Sequence, residues 1–160
     1  IGLQCKGETV LGVVYAPYLN ELYEACKGKG AMLNGRSIHV SGKNDTQESV
    51  VSTGFPIDKD RNPDNNLDNL ARILPMVRGV RRQGSAAFDL CCVAAGILDG
   101  YWEFNLHLWD VCAGILIVTE AGGTVRSFRE DRNVSIVAGT PAIVEQLYPR
   151  LSDKPGKICL

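Results

Sequence analysis

Three groups of residues have the types and spacing that chemistry needs. Asp110 follows Trp109 and opens an apolar run, Val111-Cys112-Ala113-Gly114, that continues to Thr119-Glu120-Ala121-Gly122-Gly123. A carboxylate where a helix N-terminus meets solvent can cap the helix, or it can face a ligand or a metal ion. Glu103 lies upstream, after Tyr101-Trp102, at what reads as a strand end. Gly84-Ser85-Ala86 opens another helix, whose first N–H groups could bond a hydroxyl or phosphate oxygen. Each has an ordinary reading when taken alone: a capping aspartate, a solvated strand-end charge, a tight turn with a serine cap. Strand ends followed by helix N-termini, however, line the usual ligand crevice of α/β sheets.

The elements that must position these residues fall into two blocks. In the first, Thr9 to Tyr15 reads as a strand, Glu21 to Cys26 alternates polar and apolar as a half-buried strand does, and Asn34-Gly35 is a strong hairpin signal. This block reads as an antiparallel meander. A polar stretch near residues 41–47 follows, and the pattern then changes to strands alternating with helices. Ser49 to Thr53 is a short strand. Residues 64–77 have helical spacing, with Leu67, Leu70, Ile73, Leu74 and Val77 on one face. Gly79 to Arg82 is a strand; Ser85 is placed to cap a helix that runs to Ala95 and stops at Gly96. Strands at Tyr101 to Phe104, Val125 and Val134 to Ala138, and a helix from Pro141 to Arg150, complete the pattern. The expectation is an α/β layered sandwich with a mixed sheet between helices. Residues 1–40 would be the tail of one domain's antiparallel sheet, 48–150 an α/β domain, and 151–160 a tail.

Bulk properties narrow the function classes. A chain of 160 residues, 45% of them hydrophobic, can bury a core, and 17 basic against 18 acidic side chains leave a net charge of −1. That balance gives no nucleic-acid footprint and no attraction to an anionic membrane. No apolar run approaches the roughly 20 residues of a membrane helix. The six cysteines form no CxxC pair; they read as buried free thiols of a reducing cytoplasm rather than a disulfide framework.

The motifs together resemble the inositol monophosphatase family. The resemblance rests on Arg82-Gln83-Gly84-Ser85-Ala86-Ala87, Tyr101-Trp102-Glu103 and His107-Leu108-Trp109-Asp110, in that order and spacing. Thr53-Gly54-Phe55-Pro56, Gly12-Val13-Val14-Tyr15-Ala16-Pro17, and Gly28-Lys29-Gly30-Ala31 with Asn34-Gly35 also look like family stretches. The resemblance implies a magnesium-dependent, lithium-sensitive phosphatase that is cytoplasmic and commonly dimeric. Asp110 would bind Mg²⁺ and touch a substrate hydroxyl. Glu103 would bond an inositol hydroxyl, and the backbone from Gly84 through Ser85 to Ala86 would hold the sugar ring. His107 would support Trp109, because the family's nucleophile is a metal-activated water that needs no histidine base.

One part of the family pattern is missing. Its aspartate-proline, aspartate-glycine-threonine signature and a further upstream glutamate do not occur here. The chain, which lacks an initial methionine, thus reads as the C-terminal part of a longer enzyme. With Asp110 alone it is expected to be inactive, and to expose more apolar surface than a full-length form. The parent would hydrolyse inositol monophosphate or a similar polyol phosphate. Fructose 1,6-bisphosphate, NADP and phosphoadenosine nucleotides are alternative substrates. A different class of reading is a non-catalytic, protein-binding regulator of the same fold.

Overall fold

A computed structural model of the chain describes residues 1–151; the rest of the expected tail, with Cys159, lies outside the described residues. Strands β1 (Gly2–Cys5), β2 (Glu8–Ala16), β3 (Glu21–Cys26), β4 (Ala31–Leu33) and β5 (Arg36–Ile38) pair in sequence order as an antiparallel meander. Its last hairpin turns at Asn34 and Gly35 with φ of 50° and 74°, the left-handed pair that a two-residue turn between twisted strands requires.

A second five-stranded sheet is built from β6 (Val50–Thr53), β7 (Gly79–Arg81), β8 (Gly100–Leu106), β9 (Thr124–Ser127) and β10 (Val134–Gly139), in the order β7-β6-β8-β10-β9. Strand β6 runs parallel to β7 and β8, whereas β10 is antiparallel to β8 and β9, so the sheet is mixed. Helices α1 (Leu67–Ile73), α2 (Ala86–Ala94), α3 (Leu108–Glu120) and α4 (Pro141–Leu147) connect or follow these strands.

The layers follow from which faces are apolar. Tyr23, Ala25 and Ala31 of the meander share one buried cluster with Leu90 and Val93 of α2, Val111 and Ile117 of α3, and Tyr101 and Ala138 of the mixed sheet. Helices α2 and α3 therefore lie between the two sheets. The other face of the mixed sheet, with Trp102, Phe104 and Val137, packs on Ile73 of α1 and Ile143, Val144 and Leu147 of α4. Along β8, Tyr101 faces the first core and Trp102 and Phe104 the second, as the pleat dictates, until an irregularity near Asn105 returns Leu106 to the first.

Several local expectations change. The helix of residues 64–77 is only Leu67–Ile73, followed by a 3-10 turn at Leu74–Met76. Pro75 has no N–H to continue the helical ladder, which ends the helix. Of its expected apolar face only Ile73 is fully buried, while Leu67 and Leu74 are exposed. The final helix likewise stops at Leu147 and gives way to a 3-10 turn containing Pro149. Cys91 and Cys92 are buried free thiols, but Cys5 and Cys26 are exposed on the meander.

Asp64, expected in a helix, is instead the centre of a buried ion cluster. Arg129 bonds it through two nitrogens at 2.8 and 3.1 Å, and Arg132 at 2.6 Å. The Arg129 side chain is almost wholly enclosed, lies 5.1 Å over the Phe104 ring and also pairs with Asp131. These carboxylates hold its charge and push its pKa up.

Two predictions follow from this packing. Asp64→Ala leaves a buried guanidinium short of its bidentate partner and should cost about 3–5 kcal/mol of stability, read from urea unfolding. The outward face of the meander carries Leu3, Leu11, Tyr15 and Met32, all exposed. A dye that fluoresces on apolar patches should therefore bind this chain, and the double variant Leu11→Lys, Tyr15→Lys should weaken that signal.

Candidate functional site

The parallel pairing of β6 with β7 and β8 brings three strand ends to one edge of the mixed sheet. Beyond that edge start α2 and α3. Between them opens a cleft of about 630 Å³. Gly84, Ser85, Ala86, Glu103 and Asp110, separated in sequence, all line it. Arg82, Gly54, Ile57 and Trp109 complete much of its wall.

Asp110 occupies the third position of α3. Its Oδ2 accepts the His107 backbone N–H at 2.8 Å, which caps the helix. The capping reading of this residue is thus realised, yet its side chain stays partly exposed at the cleft. The His107 ring stacks on Trp109, with centroids 4.4 Å apart and planes 7° from parallel, so His107 braces the tryptophan at the rim.

Glu103 is not at a strand end but within β8. The pairing of β8 with β10 is irregular just beyond it, where Asn105 turns left-handed with φ of 63°. Glu103 lines the cleft just before that irregularity. The Tyr101 hydroxyl, two residues back on the same face, donates to Glu103 Oε2 at 2.6 Å. A Cβ on Gly54 would overlap the Glu103 carboxylate, so the glycine leaves that carboxylate its present place. Burial pushes the Glu103 pKa up, and the charges of Asp89 and Asp110 add to this; the Tyr101 bond and Arg82 pull it down without cancelling the rise.

The turn before α2 also departs from expectation. Gly84 has φ of 87°, a value that favours glycine. Ser85 stands at the cap position with extended backbone, but its side chain makes no capping bond. The start of α2, Ser85 and Ala86, lies along the cleft. What secures the turn is Asp89, which is 1% exposed and accepts from Gln83 Nε2 at 3.2 Å. Burial raises its pKa, opposed by the Gln83 amide and Arg82. Sequence reasoning missed Asp89, although a lone acid inside Ala86-Ala87-Phe88-Asp89-Leu90-Cys91-Cys92 was a visible signal.

Behind the cleft, Asn66 ties β6 to β8. Its Nδ2 donates to the Gly54 carbonyl at 2.6 Å and to Thr53 Oγ1 at 2.9 Å, while its Oδ1 accepts from Trp102 Nε1 at 3.0 Å. Asn66 is fully buried with φ of 74°, a left-handed conformation that asparagine tolerates better than most residues. Gly54 is thereby fixed where Glu103 needs it.

The donor set can be tested against a divalent ion. Magnesium requires about six oxygens in near-octahedral array. Asp110 offers a carboxylate already committed on one oxygen to the helix cap, and among the described residues no three His, Cys, Asp or Glu side chains gather as a metal site. On their own, these residues do not fit the ion.

Comparison with known proteins agrees with the geometry. The sequence pattern described as the inositol monophosphatase family matches residues 1–154. The chain is 40% identical over 162 aligned positions to Nus factor SuhB of Pasteurella multocida, covering 96% of this chain and 61% of that protein. It is 40% identical over 151 positions to the inositol-1-monophosphatase of Mesorhizobium japonicum, covering 92% and 57%. Among solved structures, an inositol monophosphatase from Anabaena superposes with a TM-score of 0.88 at 38% identity, over 96% of this chain and 66% of that one. The extragenic suppressor protein suhB of Bartonella henselae gives 0.85 at 40%, over 93% and 58%. The chain thus spans about three fifths of the length of these curated relatives. With the match running nearly end to end and the same layered fold, the chain belongs to the inositol monophosphatase family.

Proposed function

We propose that this chain supplies the polyol-holding part of a phosphoric monoester hydrolase that acts on inositol monophosphate or a similar polyol phosphate. The observation that carries the reading is the convergence of Asp110, Glu103 and the Gly84–Ala86 turn on one cleft, although the sequence separates them. Glu103 accepts a ring hydroxyl, the N-terminus of α2 bonds ring or phosphate oxygens, and Arg82 brings positive charge to the same wall. Trp109 and Ile57 cover the apolar face of the ring. Mg²⁺ is the proposed cofactor of the intact protein, where it would activate the attacking water. Asp110 would be one of its ligands, and the others would come from outside the described residues. A homodimer is proposed by the same resemblance.

A second reading has a specific support: several relatives at 38–42% identity are named Nus factor or putative Nus factor. Ile57 and Trp109 at the cleft rim are largely exposed, as contact residues for a protein would be. Binding to a transcription factor that survives Asp110→Ala would favour a non-catalytic role.

The deciding assay is phosphate release from myo-inositol 1-phosphate with and without Mg²⁺. The intact protein should turn over only with the metal, and this 160-residue chain should be inactive. Asp110→Asn in the intact protein should lower kcat by more than about 100-fold, beyond the loss typical of a residue that only supports a ligand. Turnover by the isolated chain, or a fully active Asp110→Asn variant, would sink the proposal.

A further inference from the structure

Tyr101 carries a hydroxyl that its packing does not call for. The side chain is fully buried on the face of β8 that meets α2 and α3. A phenylalanine would fill that space with no polar atom to satisfy. The hydroxyl instead reaches along the strand to Glu103, the neighbour on the same face, and donates to Oε2 at 2.6 Å. That carboxylate is also pressed against Gly54. Between the tyrosine and the glycine, Glu103 keeps one orientation while lining the cleft.

We propose that Tyr101 is a positioning residue of the polyol site: its hydroxyl occupies one Glu103 oxygen and holds the carboxylate so that the other meets a substrate hydroxyl. The inference rests on the reading of Glu103 as the polyol contact. It has an electrostatic side as well. Burial, Asp89 and Asp110 favour its neutral form, whereas Tyr101 and Arg82 favour its charged form. A protonated Glu103 would lose much of its strength as an acceptor. Tyr101 thus orients the acceptor and extends its ionised range toward acid pH.

The test uses the intact protein and three variants: Tyr101→Phe, Glu103→Gln and the double variant. Tyr101→Phe should raise KM for myo-inositol 1-phosphate about tenfold with kcat changed less than about twofold. Glu103→Gln should raise KM similarly, and the double variant should be no worse than Glu103→Gln alone, because both single changes break the same interaction. Glu103 should also titrate at higher pH in Tyr101→Phe than in the wild type. This is read from the ¹³C carboxyl signal of labelled glutamate, assigned by its loss in Glu103→Gln. A purely structural tyrosine would lower the melting temperature and leave that midpoint in place. An unmoved midpoint, or KM effects that add in the double variant, overturns the positioning role while the polyol reading stands. If Glu103→Gln leaves KM unchanged, the polyol reading fails and the proposal fails with it, whatever the midpoint does.

Discussion

Helix α3 must be buried on two sides, and this constraint shapes the rest of the molecule. One side meets the meander so closely that a Cβ on Gly12 would lie 2.8 Å from the Ala113 carbonyl. Another side meets α2, where Gly114 leaves room for Leu90. A helix enclosed in this way has to be apolar along most of its length, and Val111, Ala113, Gly114, Leu116, Ile117 and Val118 are all buried. Polar groups are confined to its ends. At the N-terminus this leaves Asp110, which caps the helix and reaches the cleft. At the C-terminus it leaves Glu120, which accepts the backbone N–H groups of Gly28 and Gly30 at 2.7 and 2.8 Å. The same helix therefore delivers a carboxylate to the site and fastens the turn between β3 and β4.

Three acids stand around the site, the enclosed Asp89 and Glu103 and the partly exposed Asp110. Asp89 and Asp110 both bear on Glu103, with Arg82 as the cation opposing them. Burying an acid without a donor is costly. Each is therefore given one: Gln83 to Asp89, Tyr101 to Glu103, the His107 N–H to Asp110. For the enclosed Asp89 and Glu103 these donors do not outweigh burial, and both keep raised pKa values despite their partners.

Much of this was legible in the sequence because it depends on local signals. Asn34-Gly35 announced its hairpin, Thr140-Pro141 its helix start, and the Trp109-Asp110 run a helix ended by Gly122. Strands appear at Glu21–Cys26, where alternation placed one, and at the short apolar runs of the second sheet. What sequence could not show depends on contacts between distant segments. Asp64 reads as the start of a helix because nothing nearby reveals Arg129, 65 residues further on. Ser85 has the residue type of a cap, but the left-handed Gly84 and the open cleft leave its side chain without a capping bond. Tyr101 and Glu103 share a face by simple alternation, so their pairing was within reach of sequence reasoning. The pressure of Gly54 on that pair was not, since it requires β6 to lie beside β8.

Parallel pairing is what turns these separate features into one site. Had β6 run antiparallel to β8, Gly54 would sit at the opposite edge from Glu103 and from the start of α3. With β6, β7 and β8 aligned, Gly54, the Gly84 turn and Asp110 come to the same edge. Asn66 then holds the join by bonding the Gly54 carbonyl and the Trp102 indole across the strand pair. A buried asparagine in a left-handed conformation is a costly residue on which to build. It persists here because it makes four bonds at once, to Thr53, Gly54, Trp102 and Asn69. Those bonds tie together the floor of the cleft that Glu103 and Asp110 line, so the same asparagine that joins β6 to β8 also fixes the backbone against which the Glu103 carboxylate rests.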